Sequence, residues 1–112
     1  MSYTDIQKAS IISLIIEMIN IDNVVSVEEL TVSNIINNEL HISQDIFEMG
    51  KALKVEYAID VVKKMTDQQK FEVGKLLTRI IDADGDVKPV EISLLNSICK
   101  LTGLDVILSK YE

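Results

Sequence analysis

Asp82, Asp84 and Asp86 stand at every second position, Gly85 lies among them, and Glu91 follows the third aspartate by five residues. Oxygen ligands on one tight turn suit a hard divalent cation (calcium, magnesium or manganese) and disfavour zinc or copper. Asp82 and Asp84 fall at the C-terminal end of a predicted helix, where the helix dipole makes each carboxylate unfavourable by about 0.3–1 kcal/mol. Such a turn is either fully hydrated or neutralised by a cation. A second reading needs no ion. Gly85 makes the turn, Val87 plugs the core, Glu91 supports a helix start through the Lys88 backbone N–H, and the aspartates are turn formers.

The spacing is not that of an EF-hand calcium loop, whose glycine is sixth and whose bidentate glutamate is twelfth. Counting from Asp82 puts Gly85 fourth and Glu91 tenth; counting from Ile80 repairs both but makes an isoleucine the first ligand. The expectation is a short loop with few protein ligands, more water, and a Kd on the order of 10⁻⁴–10⁻³ M.

The turn has an echo. A shift of 62 residues superimposes Ile19 on Ile81, Asp22 on Asp84, Val25 on Val87, Glu29 on Glu91, Asn34 on Asn96 and Ile36 on Ile98. The earlier copy carries Asn20, Asp22, Val24 and Glu29 where the later one carries Asp82, Asp84, Asp86 and Glu91. With two carboxylates lost, Asp22 and Glu29 make at most a weaker second turn.

Helical signals position both turns. Thr4-x-x-Gln7, Ser26-x-x-Glu29 and Thr66-x-x-Gln69 are capping boxes. The first opens a helix apolar nearly all round (Ile11, Ile12, Leu14, Ile15, Met18), and the second a helix with Leu30, Ile35 and Ile36 inward. Ser43 starts a short helix with Ile46, Phe47 and Met49 that breaks near Gly50; the next carries Leu53, Tyr57, Val61 and Met65. The third box launches the long helix that enters the acidic turn, with Gly74 placed for close approach to a neighbour. Pro89 suits a first helical position, Leu94, Leu95, Ile98 and Leu101 face inward, and Gly103 is a left-handed cap. Asp105 to Tyr111 forms a last short helix. The predicted fold is an all-α, orthogonal bundle of six or seven helices in a single domain, 1–112, with pseudo-repeated hairpins at about 5–40 and 67–102.

Composition sets the outer bounds. The apolar fraction is 47% with no Trp and one proline, which suits an aliphatic core and excludes a disordered chain. The net charge is −7, yet residues 51–79 hold seven basic against four acidic residues. That basic stretch is either a solvated helix surface or one face of a dipolar molecule that meets an acidic partner or lipid headgroup. The overall balance disfavours nucleic acid as a partner. Cys99 is the only cysteine, which suits a reducing compartment. The apolar segment from Ile11 to Ile21 is too short for a transmembrane span, and no signal peptide precedes it.

Ile81-Asp82-Ala83-Asp84-Gly85-Asp86-Val87, Glu91 and the closing Leu101-Thr102-Gly103-Leu104 together resemble the TerB-like, tellurite-resistance family. The same module is similar to the N-terminal region of a membrane-anchored J-domain co-chaperone. The resemblance spans residues 8 to 108, and its most specific part is Ala83-Asp84-Gly85-x-Val87-x-Pro89-x-Glu91. It implies an all-helical domain with two related halves and an acidic, ion-binding surface. It also implies a cytoplasmic role among proteins of a stress-response assembly, some of them in the inner membrane, without catalysis. The first turn departs from the pattern at Asp22-Asn23-Val24-Val25.

Other residues carry little chemistry. His41 lies where Gly103 falls in the second copy and is expected at a helix end. Cys99 lacks an activating neighbour beyond Lys100. Four carboxylates on an open turn provide neither a differently tuned acid–base pair nor a substrate pocket, so no enzyme is expected. The competing readings are a structural adaptor whose acidic surface is purely electrostatic and a weak metal-assisted hydrolase. The oligomeric state has no signature in the sequence.

Overall fold

Thr4 and Thr66 start the two longest helices by the same device. Each threonine hydroxyl accepts the N–H of a glutamine three residues on, and that glutamine's Oε1 accepts the threonine N–H in return. The computed structural model describes residues 2–83 and 85–110, the side chains of 108–110 excepted. Among these are seven helices and no strand: α1 Asp5–Asn20, α2 Val27–Glu39, α3 Gln44–Ala52, α4 Val55–Lys63, α5 Asp67–Asp82, α6 Pro89–Thr102 and α7 Leu104–Lys110. The last begins one residue earlier than expected, and Tyr111 lies outside the described residues.

The offset of 62 recurs in backbone geometry. α1 and α5 share both bounds under that shift, and α2 and α6 share their first residue. The left-handed residues match as well: Asn23 (φ 60°) with Gly85 (φ 73°), and His41 (φ 56°) with Gly103 (φ 81°). Even the turn hydrogen bonds agree, because the N–H of Asn23 donates to Asn20 O and that of Gly85 to Asp82 O, each at 3.1 Å. His41 therefore ends a helix region in the conformation that glycine adopts most readily.

α1 is the central element and packs against α3, α4 and α5. Its run from Ala9 to Leu14 and Ile15 is buried, including Ser10 and Ser13, whose hydroxyls donate to Ile6 O and Leu53 O. The α1–α3 contact depends on Gly50. A Cβ there would lie 2.6 Å from Ile12 Cγ2 and 2.9 Å from Ala9 O. The break expected near Gly50 falls two residues past it, between Ala52 and Val55, and Gly50 itself lies inside α3 and serves close helix packing.

Several positions expected to face inward also differ. In α2 only Glu29 and Ile36 are buried, while Leu30 and Ile35 are 50% and 45% exposed. In α6 Ile98 is buried but Leu101 is exposed, and Met49, Tyr57 and Val87 are exposed as well. The cause in α2 and α6 is helical phase. Glu29, Val32, Ser33, Ile36 and Leu40 make one stripe, and Glu91, Leu94, Leu95, Ile98 and Thr102 make its counterpart 62 residues later. Each stripe is set by a glutamate that turns inward, and Leu30, Ile35 and Leu101 fall off it.

Candidate functional site: two acidic turns joined by Lys88

The α1–α2 and α5–α6 turns meet at one end of the bundle. Lys88 Nζ donates to Asp22 Oδ2 at 2.7 Å, across 66 residues of chain. Asp22 Oδ1 at the same time accepts the Val24 N–H at 3.0 Å, which fixes the first turn. These two bonds, the lysine's first, hold the Asp22 carboxyl below the usual carboxylate range. The bond to Asp22 raises the Lys88 ammonium above its ordinary value, helped by the charges of Asp86 and Glu91.

Behind this contact stand Glu29 and Glu91, which are both buried. Glu29 Oε1 accepts from Ser26 N and Ser26 Oγ, while Ser26 Oγ accepts the Glu29 N–H, completing the capping box of α2. Glu91 Oε1 accepts the Lys88 N–H at 3.2 Å, the bond that the ion-free reading of the turn requires. A lysine ammonium has no acceptor, so the second copy makes only this half of the box. Its N-cap side chain is thereby released to cross to Asp22. Burial pushes the Glu91 carboxyl up, and the negative charges of Glu29 and Asp22 push it the same way against the Lys88 bond.

The predicted ligands are thus divided. Glu91 joins Asp22 and Glu29 of the first turn, whereas Asp82 and Asp86 are exposed. Asp84 lies outside the described residues. Among the described residues no three acidic, histidine or cysteine side chains form a group with ion-holding geometry. Gly85 has its expected positive φ, and nothing stands within 4 Å of where its Cβ would be.

Sequence reasoning placed Lys88 only beside its own aspartates and missed its bond to Asp22. A signal existed, because the offset of 62 puts a lysine where Ser26 caps the first copy. It also missed a cleft of about 250 Å³ lined by Tyr3, Glu39, Glu72, Lys75 and Arg79 among others. Charges there are paired: Arg79 Nη1 donates to Glu39 Oε2 at 2.8 Å, and Lys75 lies 3.5 Å from Glu72. Burial, with the Glu72 charge, pushes the Tyr3 hydroxyl up to about 12. Cys99 is buried, and that burial raises its thiol. No described helix is long and apolar enough to cross a membrane.

No family model matches the chain, and no curated protein matches it. Among solved structures, it is similar to the crystal structure of a protein of unknown function from Porphyromonas gingivalis W83. The TM-score is 0.79 at 22% identity, over 92% of this chain and 86% of the other. At that identity the likeness establishes the fold.

Proposed function

We propose that the chain is a non-catalytic, TerB-like module that binds partner proteins in a stress-response assembly of the tellurite-resistance type. It acts in the cytoplasm and reaches the inner membrane through a partner. The observation that supports this reading is the meeting of the two acidic turns. Residues 20–29 and 82–91 hold seven acidic residues against Lys88 alone, nearly the whole net charge of −7. A field concentrated at one end of a small bundle steers and orients a complementary partner.

A hard divalent cation at the same end is a second reading, favoured by Glu91. Its carboxyl is held up first by burial and then by the charges of Glu29 and Asp22, against the bond from Lys88, so a cation beside it would relieve repulsion that the lysine only partly offsets. The exposed Asp82 and Asp86, together with Asp84, are the ligands such an ion would take, with water completing its shell. Competition from the Lys88 ammonium keeps its affinity weak.

Thermal melts with and without calcium, magnesium and manganese test the ion, on wild type and on Asp84→Asn/Asp86→Asn. Binding adds about 2.7 kcal/mol at 100-fold excess over Kd, and the double variant loses that gain. A wild type indifferent to all three ions, with a stabilised double variant, leaves an electrostatic surface only. Phosphatase and nuclease assays with magnesium or manganese address catalysis. Turnover that disappears in Asp84→Ala would overturn the non-catalytic reading.

A further inference from the structure

We infer that the outward face at the start of α2, continued back through the first turn, docks an amphipathic segment of a partner protein whose basic residues flank its apolar face. This rests on the interaction-module reading and adds the chemistry of what is bound. The inward glutamate of the capping box sets the phase of α2, and that phase leaves apolar side chains in water. Val24, Val25, Val27 and Leu30 are all exposed, Val27 at 75%. Farther along the same outward side, Thr31, Asn34 and Asn38 are exposed and uncharged. α2 packs chiefly against α5, so this side is uncovered by the fold. Val87 of the second turn and Val90 at the start of α6 are also exposed, and the Lys88–Asp22 bond holds that turn against the first.

The rim decides the occupant. Asp22, Glu28, Asp82 and Asp86 put negative charge on the same two turns and helix starts that carry the valines, and Lys88 is bound to Asp22. Anionic lipid headgroups and nucleic acid are repelled by such a rim. A second copy related by a two-fold axis would set this acidic end against itself. A segment of another protein with apolar residues at helical spacing and lysine or arginine at their edges satisfies both parts of the surface.

The test is a titration of the intact ¹⁵N-labelled chain with a synthetic Leu/Lys amphipathic helical peptide, followed by amide shifts. Two controls accompany it: the same peptide with every Leu replaced by Ser, and with every Lys replaced by Glu. The expected result is shifts at residues 24–35, 87, 88 and 90–92 with the Leu/Lys peptide and none there with either control. Val27→Ser/Leu30→Ser, a surface change that keeps the charge, should weaken binding about tenfold. Val24→Ser/Val25→Ser, outside the helix, should weaken it in the same direction. Unmoved α2 amides would overturn the proposal, as would equal affinity for the Ser-substituted peptide. α2 shifts produced instead by anionic vesicles or by self-association would overturn it too. A Ser-substituted peptide that shifts only Asp82 and Asp86 leaves the interaction module standing and removes the apolar dock. Calcium and EDTA arms separate the fate of the cation reading from both.

Discussion

Lys88 Nζ sits 2.7 Å from Asp22 Oδ2, and this bond puts a tethered cation between the two acidic turns. In the first copy the equivalent position is Ser26, which spends its side chain on its own helix. The second copy gives up half a capping box and gains a link between the halves.

Replacing the ammonium should therefore expose the repulsion it relieves. Lys88→Gln is expected to lower Tm at neutral pH and low salt by a few degrees, on the order typical of a single partly exposed pair. The loss should shrink as salt is added. Calcium should stabilise the variant more than the wild type, because the ion meets no ammonium competitor. Differential scanning calorimetry across a calcium series checks this. Equal calcium responses in the two proteins would mean that Lys88 does not occupy the cation's place.

Glu91 gives a prediction of opposite sign. Its folded-state pKa is raised above the ordinary value of 4.5, so the native state holds the proton more tightly than the unfolded chain. Its stabilising contribution is present below pH 4.5 and is lost as pH rises through the raised folded value. Glu91→Gln keeps an oxygen for the Lys88 N–H while removing the charge. The variant should be more stable than wild type at pH 7, and the two should converge below pH 4.5. Glu91→Ala also removes the acceptor and should cost about 0.5–2 kcal/mol, as for other lost caps. Urea melts from pH 3.5 to 7 separate the two variants. A Gln variant less stable than wild type at pH 7 would show that the ionised carboxylate is needed there.

What was legible in the sequence was local. Capping boxes act within four residues, so Thr4, Ser26 and Thr66 marked their helix starts correctly, and the offset of 62 matched Asn23 with Gly85 and His41 with Gly103 before any φ was known. The phase of α2 was not legible. Hydropathy turns Leu30 and Ile35 inward, but the glutamate at the capping-box position is buried beside the second turn and takes Ile36 with it. The divided acidic set was hidden for the same reason. Glu91 was close to Asp86 in sequence, while its carboxyl is buried and feels the charges of Glu29 and Asp22 more than 60 residues away. The break near Gly50 was legible, but the packing role of the glycine was not, because only the α1–α3 contact explains its place inside α3.

That contact makes Gly50→Ala informative. Alanine in a helix interior is favoured over glycine by about 1 kcal/mol from propensity alone. Here the new Cβ meets the Cβ of Ile12 at 2.7 Å and the carbonyl oxygen of Ala9 at 2.9 Å, and the carbonyl is backbone that cannot swing aside. Overpacking should outweigh propensity, for a net loss of about 1–3 kcal/mol. Ile12→Ala combined with Gly50→Ala should recover less than additivity predicts from removal of the side-chain clash alone, because the backbone contact persists. Chemical denaturation of the three variants checks this. A stabilised single variant would mean that α1 and α3 separate freely.

The last prediction concerns alkaline pH. The Tyr3 hydroxyl is pushed up from 10 to about 12 by burial and by Glu72, so the unfolded chain ionises first as pH rises. Stability attributable to Tyr3 is complete below pH 10 and is lost as pH rises toward about 12. Tyr3→Phe removes the titration without removing the ring, and it should flatten the fall of stability above pH 10. Absorbance titration at tyrosinate wavelengths should show one phenol of the folded wild type ionising late, and that late phase should vanish in Tyr3→Phe. Glu72→Gln should shift the same phase to lower pH, since it withdraws the charge that helps hold the proton on. A late phase unchanged by both substitutions would assign it to another tyrosine.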